Sequence, residues 1–201
     1  MEELSRGAEA ILYLNKDKVV KKRISKGYRI KEIDNLLRKL RTRSEGKILG
    51  KVNIDKPKIY SVDEKNMEIE MDFIDGNVLR DILNDMEKSE QINVCLLIGE
   101  NIGKMHSQDI VHGDLTTSNF IHKDGKAYFI DFGLSFFSKK VEDKAVDLRL
   151  LKQGLDAKHY HCSRECFDAI LEGYKKGNKD FKSVLERLNK VELRGRHKRK
   201  I

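Results

Sequence analysis

Hydrophobic positions in the first quarter of the chain come in short runs broken by charge. Residues 10–14 read AILYL and residues 18–23 read KVVKKR, with Asn15-Lys16-Asp17 between them. Polar turn residues between two β-rich runs predict a hairpin. A different rhythm follows. Ile33, Leu36, Leu37, Leu40, Ile48 and Leu49 recur at spacings that predict a long helix with one apolar face. Lys56-Pro57 ends it. Residues 58–62 (KIYSV) and 67–73 (MEIEMDF) are two further strand candidates. The second puts Met67, Ile69, Met71 and Phe73 on one face, the mark of a half-buried strand.

From Asn77 onward the pattern is mostly helical. Val78, Leu79, Ile82 and Leu83 predict a short helix, and residues 92–106 a longer one with Leu96, Ile98, Ile102 and Met105 inward. A polar loop holds residues 112–119. Two short strands, NFIH and AYFID, flank a turn at Asp124-Gly125. Helices are expected over 141–153, 163–176 and 179–190, and GRHKRK (195–200) forms a basic tail. No internal repeat is visible. The order predicts an α+β chain of two lobes: a small β-rich N-lobe over 1–74, a reduced helical C-lobe over 75–193, and a basic tail over 194–201. The seam falls at Asp75-Gly76, and a cleft between lobes is a common place for a ligand.

Composition adds limits. A chain of 201 residues suits one large domain or two packed lobes and buries roughly 70% of its unfolded surface, so a core is feasible despite 37% charged residues. The net charge of +8 fits nucleic acid or an acidic partner, and equally a lysine-rich solvated surface. Three cysteines without framework spacing point to a reducing cytoplasm. The opening MEELSRGAEA has no apolar run, so no signal peptide is expected, and no stretch approaches the roughly 20 apolar residues of a membrane span.

The strongest chemical signal is His112-Gly113-Asp114-Leu115-Thr116-Thr117-Ser118-Asn119, followed by Asp131-Phe132-Gly133. An aspartate and an asparagine five residues apart on a polar loop can face one site. Phosphoryl transfer needs metal ions on the phosphates and a carboxylate that orients the nucleophile. Asp114 can be that carboxylate. Asn119 and Asp131 supply hard oxygen ligands that suit Mg2+.

The order H-G-D-x-x-x-x-N and then D-F-G resembles the protein kinase signature, with Gly113 where arginine is usual. That resemblance implies a protein-kinase-like fold binding ATP and Mg2+. It asks for a lysine on a strand, for which Lys21 in Val19-Val20-Lys21 fits best, with Lys18 and Lys22 as competitors. It also asks for a glutamate on the next helix. Glu45 is preferred to the nearer Glu32, and a Lys21–Glu45 pair would set the lysine against the phosphates. Gly7 alone stands in for the glycine-rich phosphate cover. Asp72 and Ile74, in Met71-Asp72-Phe73-Ile74, would offer backbone groups to the adenine edge. Asp147 would hold the loop around His112 through backbone hydrogen bonds. About ten residues separate Gly133 from the next helix, without the A-P-E that ends a conventional activation segment.

This compact pattern is similar to the small atypical kinase subunit of the KEOPS (EKC) complex, the PRPK family. The likeness rests on GAEA (7–10), KGYR (26–29) with RTRSEGKIL (41–49), HGDLTTSN (112–119) with IDFGLS (130–135), and EDKAVDL (142–148). It implies a Ser/Thr kinase acting mainly as an ATPase. It also implies two partners: the subunit that makes threonylcarbamoyladenosine on tRNA, separate or fused, and a small regulatory KEOPS subunit. Arg194, Arg196, Lys198, Arg199 and Lys200 become candidate tRNA contacts, against the plainer reading of a solvated basic end.

Two other readings stay open: a RIO-like kinase or small-molecule phosphotransferase, and a nucleotide-binding pseudokinase scaffold. Small-molecule kinases usually carry histidine where Thr116 stands. His159-Tyr160-His161-Cys162 with Cys166 invites a zinc reading, but the spacing is irregular, and a loop histidine pair with two core cysteines is preferred.

Overall fold

A computed structural model describes residues 2–197, with side chains through Leu193. Its first part is a five-stranded antiparallel sheet of β1 (Glu2–Arg6), β2 (Ala10–Asn15), β3 (Lys18–Arg23), β4 (Ile59–Asp63) and β5 (Glu68–Asp72), in the order β1-β2-β3-β5-β4. The expected hairpin is β2–β3, with Asn15 opposite Lys18. Lys16 takes a φ of 60° in its turn. Strand β1 has no counterpart in the sequence expectation. All five of its residues are exposed, so it carries no inward alternation to read, and its place is set by pairing with β2.

Helix α1 (Lys31–Lys51) crosses behind the sheet and corrects one expectation. Ile33, Leu36 and Leu40 lie on its exposed side, while Asp34, Thr42, Glu45, Ile48 and Leu49 are buried. Of the expected stripe only Ile48 and Leu49 are buried, and Leu37 is half-buried. The remainder of the buried face is ionic: Arg38 Nε donates to Asp34 at 2.8 Å, and Glu45 takes two cations from β3.

The rest of the chain is mostly helical. After β6 (Asn77–Val78) and α2 (Leu79–Ile82) come α3 (Lys88–Ser107), β7 (Ile110–Val111), a 3₁₀ turn at Thr117–Asn119, β8 (Phe120–Lys123), β9 (Lys126–Phe129), β10 (Phe136–Phe137), α4 (Val141–Lys158), α5 (Ser163–Gly177) and α6 (Phe181–His197). The last helix runs past the expected end at residue 190. Helices α3 and α5 approach to backbone contact. A Cβ on Gly99 would run into the Ile170 carbonyl, and one on Gly173 into that of Leu96, so these positions admit no side chain. The core beneath the site contains Ile102, Met105, Phe120, Phe129, Phe132, Leu148, Leu151 and Tyr174, all essentially inaccessible. Among the described residues no helix is long and apolar enough to cross a membrane.

Candidate active site

Strand β3 puts its alternate residues Val19, Lys21 and Arg23 inward, by the two-residue period of a strand. Lys21 Nζ donates to Glu45 Oε1 at 2.7 Å and to Asp131 Oδ1 at 2.8 Å. The competitors lie elsewhere: Lys22 pairs with Glu68 at 2.8 Å, Lys18 sits over the Tyr60 ring, and Glu32 is exposed. Burial alone would push the Lys21 ammonium down; Glu45 and Asp131 outweigh it and hold it above the ordinary lysine value. Burial would raise the Asp131 carboxyl. The Lys21 charge, with hydrogen bonds from Lys21 and the Gly133 N–H, instead keeps it below the usual aspartate value. Asp131 has a φ of 59°, outside the range favoured by a residue with a Cβ, so contacts on both sides hold its turn.

Facing this bridge is the loop after β7. Asn119 Nδ2 donates to the Asp114 carbonyl at 2.8 Å and to Asp114 Oδ2 at 3.0 Å. Both amide hydrogens are thereby used, leaving the Asn119 amide oxygen and Asp114 Oδ1 as the remaining polar atoms of the pair. Behind the loop, buried Asp147 accepts from the His112 N–H at 2.8 Å and the Gly113 N–H at 2.9 Å. His106 Nε2 lies 3.1 Å from Asp147, and its other nitrogen 3.0 Å from the Tyr174 hydroxyl. One carboxylate therefore ties α4, α3 and the loop that begins at His112 together.

The departure at Gly113 has a geometric reason. Gly113 has a φ of +80°, and a Cβ there would lie 2.5 Å from the Leu134 carbonyl oxygen. The segment after Gly133 packs onto the loop at that point. Ser135 Oγ donates to the His112 carbonyl at 2.8 Å, and β10 pairs with β7. The segment is short and pinned, with Phe136 and Phe137 exposed beside it.

Between the sheet and these loops lies a cavity of about 420 Å³. Gly7, Ala8, Glu9 and Ala10 line one side, Lys21 and Arg23 another, Met71 to Ile74 the back, and Asn119, Ile121, Ile130 and Asp131 the floor. Arg41 and Arg29 pair with Glu9 at 2.8 and 3.3 Å and tie the Gly7 turn to α1 and to the segment just before it. At the back, Asp72 has its side chain occupied by the Lys58 N–H and the Tyr60 hydroxyl. Its neighbour Phe73 donates its N–H to Asp17, while the Ile74 N–H makes no backbone hydrogen bond among the described residues.

A family model described as the RIO domain matches residues 12–151, which include Lys21, Glu45, Asp114, Asn119, Asp131 and Asp147. The KEOPS complex subunit Bud32 of Pyrococcus abyssi is 41% identical over 213 residues, 98% of this chain and 97% of that one. The chain belongs to the Bud32 family of RIO-domain proteins. Two longer relatives, each called a "Probable bifunctional tRNA threonylcarbamoyladenosine biosynthesis protein", come from Methanobrevibacter smithii (41% identical) and Methanocaldococcus jannaschii (39%). Each alignment covers 96% of this chain and 36% of the relative, so the chain spans about a third of those proteins.

The Bud32-family chain therefore lines one cavity with Lys21, Asn119 and Asp131, with Gly7, Asp72 and Ile74 on its wall; Glu45 and Asp114 do not line it but are bonded to Lys21 and Asn119, which do. Lys198, Arg199 and Lys200, and the side chains of Arg194 and Arg196, lie outside what is described. His159, from the zinc reading, has Nε2 3.0 Å from Thr117 Oγ1 and Nδ1 2.8 Å from Asn84 Oδ1, a structural bond network. Arg23 is the site residue that pattern reading passed over. Its signal was its place two residues beyond Lys21, on the same strand face.

His112 sets a pH dependence for this Bud32-family fold. Its Nε2–H donates to the Ile130 carbonyl at 3.2 Å, and its Nδ1 is buried without a partner among the described residues. Burial holds the ring below the ordinary histidine value despite nearby Asp147; His159 is held low by burial and by Lys158. The unfolded chain then binds protons that the folded chain refuses. Stability must fall as pH drops below the unfolded histidine value of about 6.5, whereas depressed carboxylates act only below about pH 4. The urea midpoint is expected to fall between about pH 7.5 and about pH 5.5, and to fall less in His112→Gln. Equal falls in both proteins would rule out this role for His112.

Proposed function

We propose that this chain is an ATP-hydrolysing atypical Ser/Thr kinase subunit that supports formation of threonylcarbamoyladenosine on tRNA. The observation that carries it is one cavity lined by Lys21 and Asp131 of the Lys21–Glu45–Asp131 bridge and by Asn119, which is bonded to Asp114. The donor set fits Mg2+. The Asn119 amide oxygen and Asp131 Oδ2 are hard oxygens left over when their neighbouring atoms are bonded, and Lys21 keeps Asp131 ionised. The metal would supply charge neutralisation on the phosphate oxygens. The apolar back of the cavity, with the Ile74 N–H and the Asp72 carbonyl, fits an adenine edge. Lys21 holds the phosphates. Asp114 Oδ1 accepts the proton of the attacking hydroxyl, from water or from a Ser/Thr side chain, while Asn119 fixes Oδ2.

The printed names of the relatives support the biological setting: a KEOPS complex subunit, and bifunctional proteins of tRNA threonylcarbamoyladenosine biosynthesis in which a region like this chain is about a third of the length. A threonylcarbamoyl-transfer subunit and a small regulatory subunit are the partners this reading expects, in the cytoplasm. The pinned segment after Gly133 offers little platform for a peptide, which favours water as the common acceptor.

Phosphate release from ATP, measured for the chain alone and with the transfer subunit and tRNA, tests this reading. Turnover is expected alone and is expected to rise in the mixture. No turnover in any mixture would favour a nucleotide-binding scaffold, a reading that the lone Gly7 in the covering turn supports.

A further inference from the structure

Arg23 is buried, with its side chain 4% exposed. Its Nη2 donates to Glu45 Oε2 at 2.5 Å, while Glu45 Oε1 is taken by Lys21. Glu45 thus serves two cations at once. The second carboxylate, Asp131, is half-exposed and bonded to Lys21. With Asp131 shared between Lys21 and a metal, Glu45 would be the one anion left wholly to the two buried cations. Arg23 Nε is also buried with no hydrogen-bond partner among the described residues. A guanidinium has five donors, and a buried donor left unpaired is costly.

The position of that donor matters. In the β3–β5 register Lys18 lies opposite Asp72, and Lys22 opposite Glu68. Moving along β3 from the proposed adenine end, the chain meets Lys21 and then, about 7 Å farther at two strand residues, Arg23. The guanidinium rests against the Asp131 loop. A Cβ on Gly133 would come within 3.0 Å of both Arg23 Nη2 and Asp131 Oδ1, so the absent side chain keeps the space between them clear.

We propose that Arg23 is a second phosphate-binding cation of this site, which takes the terminal phosphoryl group of a nucleoside triphosphate while Lys21 takes the inner phosphates. The inference rests on the cavity being a nucleotide site. An arginine supplied within the same chain stabilises charge on the transferred group in other phosphoryl-transfer proteins. Glu45 orients it, and the planar fork matches two phosphate oxygens.

The test is calorimetric titration of ATP and ADP, each with Mg2+, into the wild-type chain, Arg23→Met and Arg23→Lys. Both variants are expected to lose roughly ten- to a hundredfold in ATP affinity and about twofold or less in ADP affinity. Equal losses for the two nucleotides would overturn the proposal and leave Arg23 as a tether for Glu45. A wild-type chain that binds neither nucleotide would overturn the nucleotide site itself, a distinct result. If Arg23→Met does not fold, Arg23→Lys carries the same comparison, since an ammonium keeps the charge beside Glu45 but loses the fork.

Discussion

Asp114→Asn is expected to slow phosphate release from ATP by roughly 10²- to 10⁴-fold, the range for losing a positioned general base. Nucleotide affinity is expected to stay within about twofold, because the lost interaction belongs to the transition state. The substitution is nearly isosteric. Asn119 Nδ2 keeps its bond to the residue-114 carbonyl, so the loop retains its main tie. What changes is the atom that receives the proton, since a neutral amide oxygen is a very weak base. Steady-state phosphate release and a parallel binding titration separate the two quantities. Turnover within threefold or so of wild type would remove Asp114 from the mechanism, since it would lie far outside that range.

Asp147→Asn is expected to be the most destabilising of these changes, at about 3–5 kcal/mol. Asp147 is 1% exposed, and its two oxygens accept three contacts, from the His112 and Gly113 N–H groups and from His106. An amide replaces one acceptor with a donor, so a buried N–H or the His106 ring faces another donor. For a chain of this length that loss lowers the thermal midpoint by roughly 10 °C. Turnover should fall with it even below the midpoint, because the loop carrying Asp114 loses its backing. A midpoint within about 2 °C of wild type would show that the loop stands without Asp147.

The loops of the site were legible because their chemistry is local. His112 to Asn119 and Asp131 to Gly133 are short runs whose residues and spacing resemble the protein kinase signature, which implies phosphate chemistry. Lys21 and Glu45 needed the kinase resemblance, since 24 residues separate them and three lysines competed. The orientation of α1 was not legible. Apolar periodicity assumes that burial follows hydrophobicity, but this helix buries Asp34 and Glu45, with Arg38, Lys21 and Arg23 compensating their charge. Ile33, Leu36 and Leu40 are left outside. Arg23 was hidden for a related reason: within the basic run from Lys21 to Arg43 it reads as one surface charge among many. Strand β1 carries no buried residue and so leaves no alternation to detect.

The proposed function requires the cavity between sheet and helices to hold a nucleotide together with a divalent metal. Its most direct measurement is titration of ATP into the Asp114→Asn chain, where slow turnover does not obscure binding, once with Mg2+ and once with a chelator. Expected is one site per chain whose affinity drops at least about tenfold on chelation, because Asn119 and Asp131 then meet the phosphates without a metal between them. No binding, or binding indifferent to the metal, would contradict it.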